Sequence, residues 1–252
     1  MKYISLPDEK VHRLIPADAP IRCLSFYLAM EEFVARRLDE PDCFFMWQVE
    51  PSVIFGRNQV LENEVNLDYC KVHGIKVYRS TSGGGCVYAD MDNLMWSFIT
   101  SGEDVGFAFN RFVNMVLLVL RKLGIAATGT SHNDIMIGDR KVCGTACYHV
   151  AGRSIVHSTM LYDTNMDHML HAITPGREKL EKKGIQSVRQ RITLLKDYLK
   201  EDDQPKSTEE LKAFVREALC DGECVLTQDD VTEIERLEQT YLKEEFINLI
   251  QQ

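Results

Sequence analysis

Apolar residues recur along this chain with two different periods. After Pro20, the positions Leu24, Tyr27, Leu28, Ala35 and Leu38 follow helical spacing, and proline suits the first turn of a helix, so residues 21–38 are predicted to form an amphipathic helix that packs on a sheet. Residues 43–49 and 53–55 are short aromatic and β-branched runs broken by Glu50-Pro51, which predicts two strands joined by a turn. Residues 66–73 read as a short helix closed by Gly74, and 75–79 as the next strand.

The middle of the chain continues the mixture. Residues 87–90 and 93–100 are strand-like, and a long apolar helix is predicted over 107–123, ended by Gly124. Residues 135–137 and 140–143 flank Gly138-Asp139, and a glycine able to take positive φ makes this a tight hairpin. Residues 154–162 form another predicted strand. Strands and helices follow one another without regular βαβ alternation, so the expected class is α+β, a mixed and largely antiparallel sheet flanked by helices.

Past Thr174-Pro175-Gly176 the chain turns charged and helical, and Glu201-Asp202-Asp203-Gln204-Pro205 is a polar break. Thr227 and Asp230 have the spacing of a helix cap ahead of the apolar positions of 231–250. The expected division is a catalytic domain over 1–200 and a helical extension over 201–252.

Composition narrows the function classes. The 252 residues are 45% hydrophobic and 27% charged, with seven prolines, which suits a folded globular protein rather than a disordered one. A net charge of -9 argues against a sequence-indifferent hold on nucleic acid or on an anionic membrane, because both need a broad basic surface. Residues 1–20 lack the pattern of a signal or transit peptide, and no apolar run reaches the ~20 residues that span a bilayer, so a cytoplasmic location is expected. Eight cysteines lie scattered through hydrophobic segments. Cys143/Cys147 and Cys220/Cys224 are spaced by three residues, and no C-x-x-C or companion histidine pair completes a zinc pattern, so buried reduced thiols are expected.

Three segments carry candidate chemistry. Ser82-Gly83-Gly84-Gly85 lies between two predicted strands, where three glycines let backbone N–H groups approach an anion or a flat ligand; alone, such a run is equally a flexible turn. No G-K-[ST] follows it and no G-x-G-x-x-G opens a helix, which excludes the Walker and dinucleotide loops. Asp134 and Lys141 fall on the two arms of the predicted hairpin, ahead of the small residues Gly144, Thr145 and Ala146, and the pair reads as a site or as a solvated surface contact. His157-Ser158-Thr159 interrupts an apolar strand, where a histidine is more often structural than catalytic.

Together these blocks resemble the lipoate-protein ligase family. The resemblance runs through Trp47-Gln48 with 53–59, then 79–90 with Asn93, then Asn133-Asp134 with 138–146, then 157–161, and it continues over 179–195, a span from about residue 20 to 195. It implies a fold shared with biotin protein ligases and related to class II aminoacyl-tRNA synthetases. It further implies that Ser82, Gly83, Gly84, Gly85, Cys86, Val87 and Tyr88 cradle an acyl-adenylate, with Gly144, Thr145 and Ala146 also at the nucleotide side. Arg79 would hold phosphate, Asn93 would support the loop, and Asn133 and Asp134 would lie by the nucleotide or its magnesium. Lys141 would be the catalytic residue, and Trp47, His157, Ser158 and Thr159 would border the acyl pocket.

The implied reaction uses ATP and magnesium to activate lipoate or octanoate, then passes the acyl group to a lysine of a lipoyl domain in a 2-oxoacid dehydrogenase E2 or of glycine-cleavage H protein. A basic run, Lys179, Lys182, Lys183, Arg189 and Arg191, would serve as a landing patch or simply as a solvated helix face.

Ser80 and Ala89 stand where the family carries arginine and histidine, and H-H-G-T becomes Val156-His157-Ser158-Thr159. The accessory domain of larger ligases is expected to be absent, so either a separate polypeptide supplies it or the chain transfers an already activated acyl group. An ATP-independent transferase acting through a cysteine thioester, with Cys143 or Cys147 as nucleophile, is the alternative within the superfamily. A non-catalytic acyl-binding or regulatory protein that kept the fold is the alternative from a different function class.

Overall fold

The computed structural model of the chain describes residues 1–7, 22–102, 104–130, 134–173, 191–202 and 204–248. Its centre is an eight-stranded sheet of β1 (Lys2–Ser5), β2 (Asp42–Trp47), β6 (Asn93–Ser101), β7 (Thr128–Gly129), β8 (Asp134–Ile137), β9 (Arg140–Val150), β10 (Arg153–Leu161) and β11 (Gly222–Val225). They lie in the order β11-β1-β2-β6-β10-β9-β8-β7. The strands from β2 to β7 pair antiparallel, and β1 pairs in parallel with both β2 and β11. A second sheet of three strands is built from β3 (Ser52–Phe55), β4 (Lys76–Arg79) and β5 (Cys86–Ala89), ordered β4-β3-β5, and shares a core with α2 (Leu61–Glu64), α3 (Leu67–Val72) and α5 (Met166–Ala172). The expected α+β class therefore holds.

Period-two alternation assigns the two faces of the large sheet. Phe44, Met46, Leu94, Trp96, Phe98 and Val156 enter one core, while Phe45, Trp47, Met95, Ile99 and Ile155 enter the other. The first face is covered by α4 (Val105–Lys122) and α6 (Thr208–Leu219), the second by α1 (Leu24–Arg37) and α7 (Gln228–Tyr241). Each fully buried Phe or Leu among these contributes about 1.5–3 kcal/mol relative to exposure. The helices have local reasons to begin where they do. Asp104, Ser207 and Thr227 cap α4, α6 and α7, and Thr227 with Asp230 completes a reciprocal capping box.

Several boundaries differ from the pattern reading. Helix α1 begins at Leu24 rather than 21, because Cys23 is still extended and offers no side-chain cap. β2 and β3 do not pair with each other; the turn at Glu50-Pro51 carries the chain from the large sheet into the small one. β9 runs on to Val150 and turns at Ala151 and Gly152, both at positive φ, into β10. The segment beyond residue 200 does contribute helices, and it also supplies β11, an edge strand of the large sheet. Among the described residues, no helix is long and apolar enough to cross a membrane.

Candidate active site

The site forms where the small sheet meets β8, β9 and β10 of the large one. A cavity of about 290 Å³ opens there, close to the ~300 Å³ at the small end of ligand pockets. Leu28, Trp47, Ile54, Phe55, Val87 and Met95 give it apolar walls, and Ser80 to Ala146 contribute glycines and polar groups, including Asp134 and Lys141.

The glycine loop is held by the end of β3. Gly56 N donates to Gly85 O at 2.9 Å, Arg57 N to Ser82 O at 2.8 Å, and Gln59 Nε2 to Gly84 O at 3.0 Å. Two positions require glycine. A Cβ on Gly56 would lie 2.3 Å from the Gly84 carbonyl oxygen, and Gly84 has φ +104. Ser80 lies in this loop, where its hydroxyl accepts from Ser82 N at 3.0 Å and sits 2.7 Å from Ser82 Oγ.

Opposite the loop, Lys141 Nζ lies 2.7 Å from Asp134 Oδ1. The hairpin places both groups on one side: Asp134 is opposite Gly144, with a register shift between Ile135 and Met136. Gly144 makes room for the lysine, since a Cβ there would meet Lys141 Nζ at 2.8 Å. Both side chains remain about one-third exposed, so the ammonium can meet a ligand in the cavity.

The floor beneath the loop is polar and buried. Glu31 is fully buried, and its carboxylate accepts from Ser97 Oγ at 2.6 Å and Tyr148 OH at 3.2 Å, with His157 Nδ1 at 3.1 Å. The other ring nitrogen of His157 is 2.9 Å from Ser82 Oγ, and Trp47 Nε1 donates to Ser97 Oγ at 2.9 Å. Trp47 also stacks on Tyr27 at 4.9 Å. Glu31 was not among the expected site residues. Its signal was present in the pattern, because it falls three residues after Leu28 and four before Ala35, a charge on the apolar stripe of the helix.

Of the sequence-predicted residues, Trp47, Ser82, Gly83, Gly84, Gly85, Cys86, Val87, Asp134, Lys141, Gly144, Thr145, Ala146, His157, Ser158 and Thr159 line this cavity together. Three do not. Tyr88 follows Val87 on a strand and so points to the opposite face, into the small-sheet core. Asn93 is fully buried and supports β5 from behind, donating to Tyr88 O at 2.9 Å and accepting from Thr164 Oγ1. Arg79, expected at phosphate, is 3% exposed and turned away; its guanidinium donates to the carbonyls of Arg57, Gln59 and Ile247. Asn133 and the basic run from Lys179 to Arg189 lie outside the described residues, and Arg191 is exposed.

All eight cysteines are free. Burial pushes the Cys143 thiol up to about 12 and the Cys147 thiol up to about 11, and it raises Cys86 as well. Thiols so shifted are poor nucleophiles at neutral pH.

Residues 24–220 match the family model described as the lipoyl protein ligase A/B catalytic domain. The chain belongs to that family. Lipoate-protein ligase LplJ of Bacillus subtilis is 37% identical over 190 residues, which cover 75% of this chain and 56% of LplJ. The chain thus spans little more than half the length of that relative. A bi-partite lipoate protein ligase of Thermoplasma acidophilum, studied with its E2 lipoyl domain, superposes with a TM-score of 0.82 at 25% identity, covering 100% of this chain and 97% of that one. A lipoate-protein ligase A bound with ATP superposes with a TM-score of 0.76 at 27% identity, covering 90% and 94%. Within a lipoyl ligase catalytic domain, the glycine loop, Lys141 and the apolar walls share one cavity.

Proposed function

We propose that this chain is the catalytic part of a lipoate-protein ligase, joining lipoate or octanoate to ATP as an acyl-adenylate and passing the acyl group to a lysine of a lipoyl domain or H protein. The observation that carries the reading is the Lys141 ammonium beside Asp134, facing a glycine-walled cavity with apolar sides. In the first step a carboxylate oxygen of the acid attacks the α-phosphorus and pyrophosphate leaves. Two anions must approach each other, and Lys141 offsets charge on both as the transition state forms. The apolar walls take the acyl chain, and the glycine backbone of 83–85 lies open to the adenylate. In the second step the acceptor amine attacks the acyl carbonyl and AMP leaves.

Among the described residues, Asp134 is the carboxylate in the cavity lining. One carboxylate suits magnesium that arrives with the nucleotide, since that ion takes most of its ligands from phosphate and water. Bound there, it would offset charge on the pyrophosphate. The likeness to a bi-partite lipoate protein ligase supports a second polypeptide as working partner.

The test is to mix the purified chain with ATP, magnesium and each acid, with and without a lipoyl domain, and to read acyl-adenylate and acylated lysine by mass spectrometry. Acylation of the domain that needs ATP supports the reading. Acylation from a preformed acyl-protein donor in the absence of ATP overturns it.

A further inference from the structure

We propose that Arg79 is a positioning residue that ties the glycine loop to the turn at 243–248, rather than a ligand for phosphate. The proposal rests on the ligase reading for its consequence, and on geometry alone for the tie. Arg79 Nε donates to Ile247 O at 2.9 Å, while Nη1 donates to Arg57 O at 2.7 Å and Gln59 O at 3.1 Å. Its guanidinium also lies 4.4 Å over the Phe55 ring. A planar fork suits a bridge between two chain segments in a way that a single ammonium does not.

The two sides of the bridge are both structured. Residues 56–59 hold the glycine loop through three hydrogen bonds, from Gly56, Arg57 and Gln59 to the carbonyls of Gly85, Ser82 and Gly84. On the other side, Ile247 ends the short helix α8 (Glu244–Ile247), and its carbonyl accepts from Arg79. That helix is seated by Phe246, edge-on to Tyr241 at 5.3 Å, and the Tyr241 hydroxyl donates to Glu32 at 2.9 Å. A continuous path therefore runs from α1 through the 243–248 turn and Arg79 to the loop that faces the substrate.

Phe246 separates this role from phosphate binding, because it does not line the cavity. In the ligand-free chain, Phe246→Ala is expected to speed amide exchange in peptides covering 80–87 about tenfold, leaving exchange in α4 unchanged. Phe246→Leu, which restores apolar packing, should return exchange to the wild-type rate. Arg79→Lys should loosen the same peptides, despite keeping the charge. In acylation assays, Phe246→Ala should raise KM for the acid and ATP several-fold with kcat within about twofold, the mark of lost positioning.

Unchanged exchange over 80–87 in Phe246→Ala overturns the proposal, as does an increase spread equally through α4. If Arg79→Lys does not fold, the Phe246 pair decides alone. Failure of the wild-type chain to form acyl-adenylate would sink the ligase reading and leave the exchange result standing.

Discussion

Lys141 Nζ and Asp134 Oδ1 are 2.7 Å apart across one hairpin, and the space that lets them meet is the missing side chain of Gly144. The pair is partly solvated, so it contributes at most ~1 kcal/mol to stability. Its weight falls on chemistry. Lys141→Ala is expected to lower acyl-adenylate formation by about 100- to 1000-fold, the scale seen when one charge-stabilising donor is removed, with an unchanged circular dichroism spectrum. Gly144→Ala keeps the lysine and displaces it, and a shift near 1 Å predicts a loss of up to ~100-fold. Single-turnover rates for the two variants check both numbers; a near-normal rate in Lys141→Ala would sink the mechanism.

Glu31 holds three side chains at once under the glycine loop. Replacing it by leucine leaves Ser97, Tyr148 and His157 without their acceptor, and each buried polar group so orphaned costs about 1–3 kcal/mol. Glu31→Gln retains one acceptor oxygen and should cost less than Glu31→Leu. Urea denaturation orders the three proteins as wild type, Gln, then Leu. A leucine variant as stable as wild type would show that the carboxylate is not what holds this floor.

What the pattern along the chain revealed and what it concealed have one physical cause. Local periodicity exposed β6, β10, α4 and the 138–139 hairpin, because alternation and turn residues are set within a few positions of each other. It did not expose that β2 and β3 enter different sheets, or that residues 222–225 close the edge beside β1, because pairing partners are chosen by the whole sheet. The same division runs through the site. Ser82 to Gly85 and Lys141 carry visible chemistry, whereas Glu31 acts through contacts made 66, 117 and 126 residues away in sequence. Arg79 was visible as a cation, but its direction was not, since that depends on three carbonyls from two segments far apart in sequence.

The thiols offer a test between ATP-dependent ligation and thioester transfer. Burial is the cause that lifts Cys143 to about 12 and Cys147 to about 11, so at pH 7.5, taken as a round working value, both are almost wholly protonated. Cys147→Ser is expected to retain at least about half the wild-type acylation rate, within the few tenths of a kcal/mol typical of a mild substitution. Iodoacetamide should modify Cys147 in the folded protein far more slowly than in urea. Rapid alkylation together with loss of transfer in the serine variant would instead identify a nucleophile.

Stability in acid gives a test with a definite sign. Asp42 is partly desolvated, which raises its pKa, yet hydrogen bonds from Arg111 and Thr100 outweigh burial and leave the carboxyl below its ordinary value of 3.8. The contacts are two-pronged: Arg111 Nη1 to Oδ1 at 3.0 Å, Arg111 Nη2 to Oδ2 at 2.7 Å, and Thr100 Oγ1 to Oδ1 at 2.7 Å. A folded-state pKa below the unfolded one means that the contribution is complete above the unfolded value and is lost as pH falls through the folded one. Asp42→Asn removes the charge at every pH. The stability gap between wild type and this variant should therefore be full at neutral pH, on the order of 1 kcal/mol for a partly exposed pair, and close as the pH falls below the ordinary carboxyl range. Other carboxylates titrate in both proteins and cancel in the difference. Urea midpoints across that range measure the gap directly, and a gap that stays constant into acid would mean that the Asp42 carboxylate is not held in its charged form by Arg111.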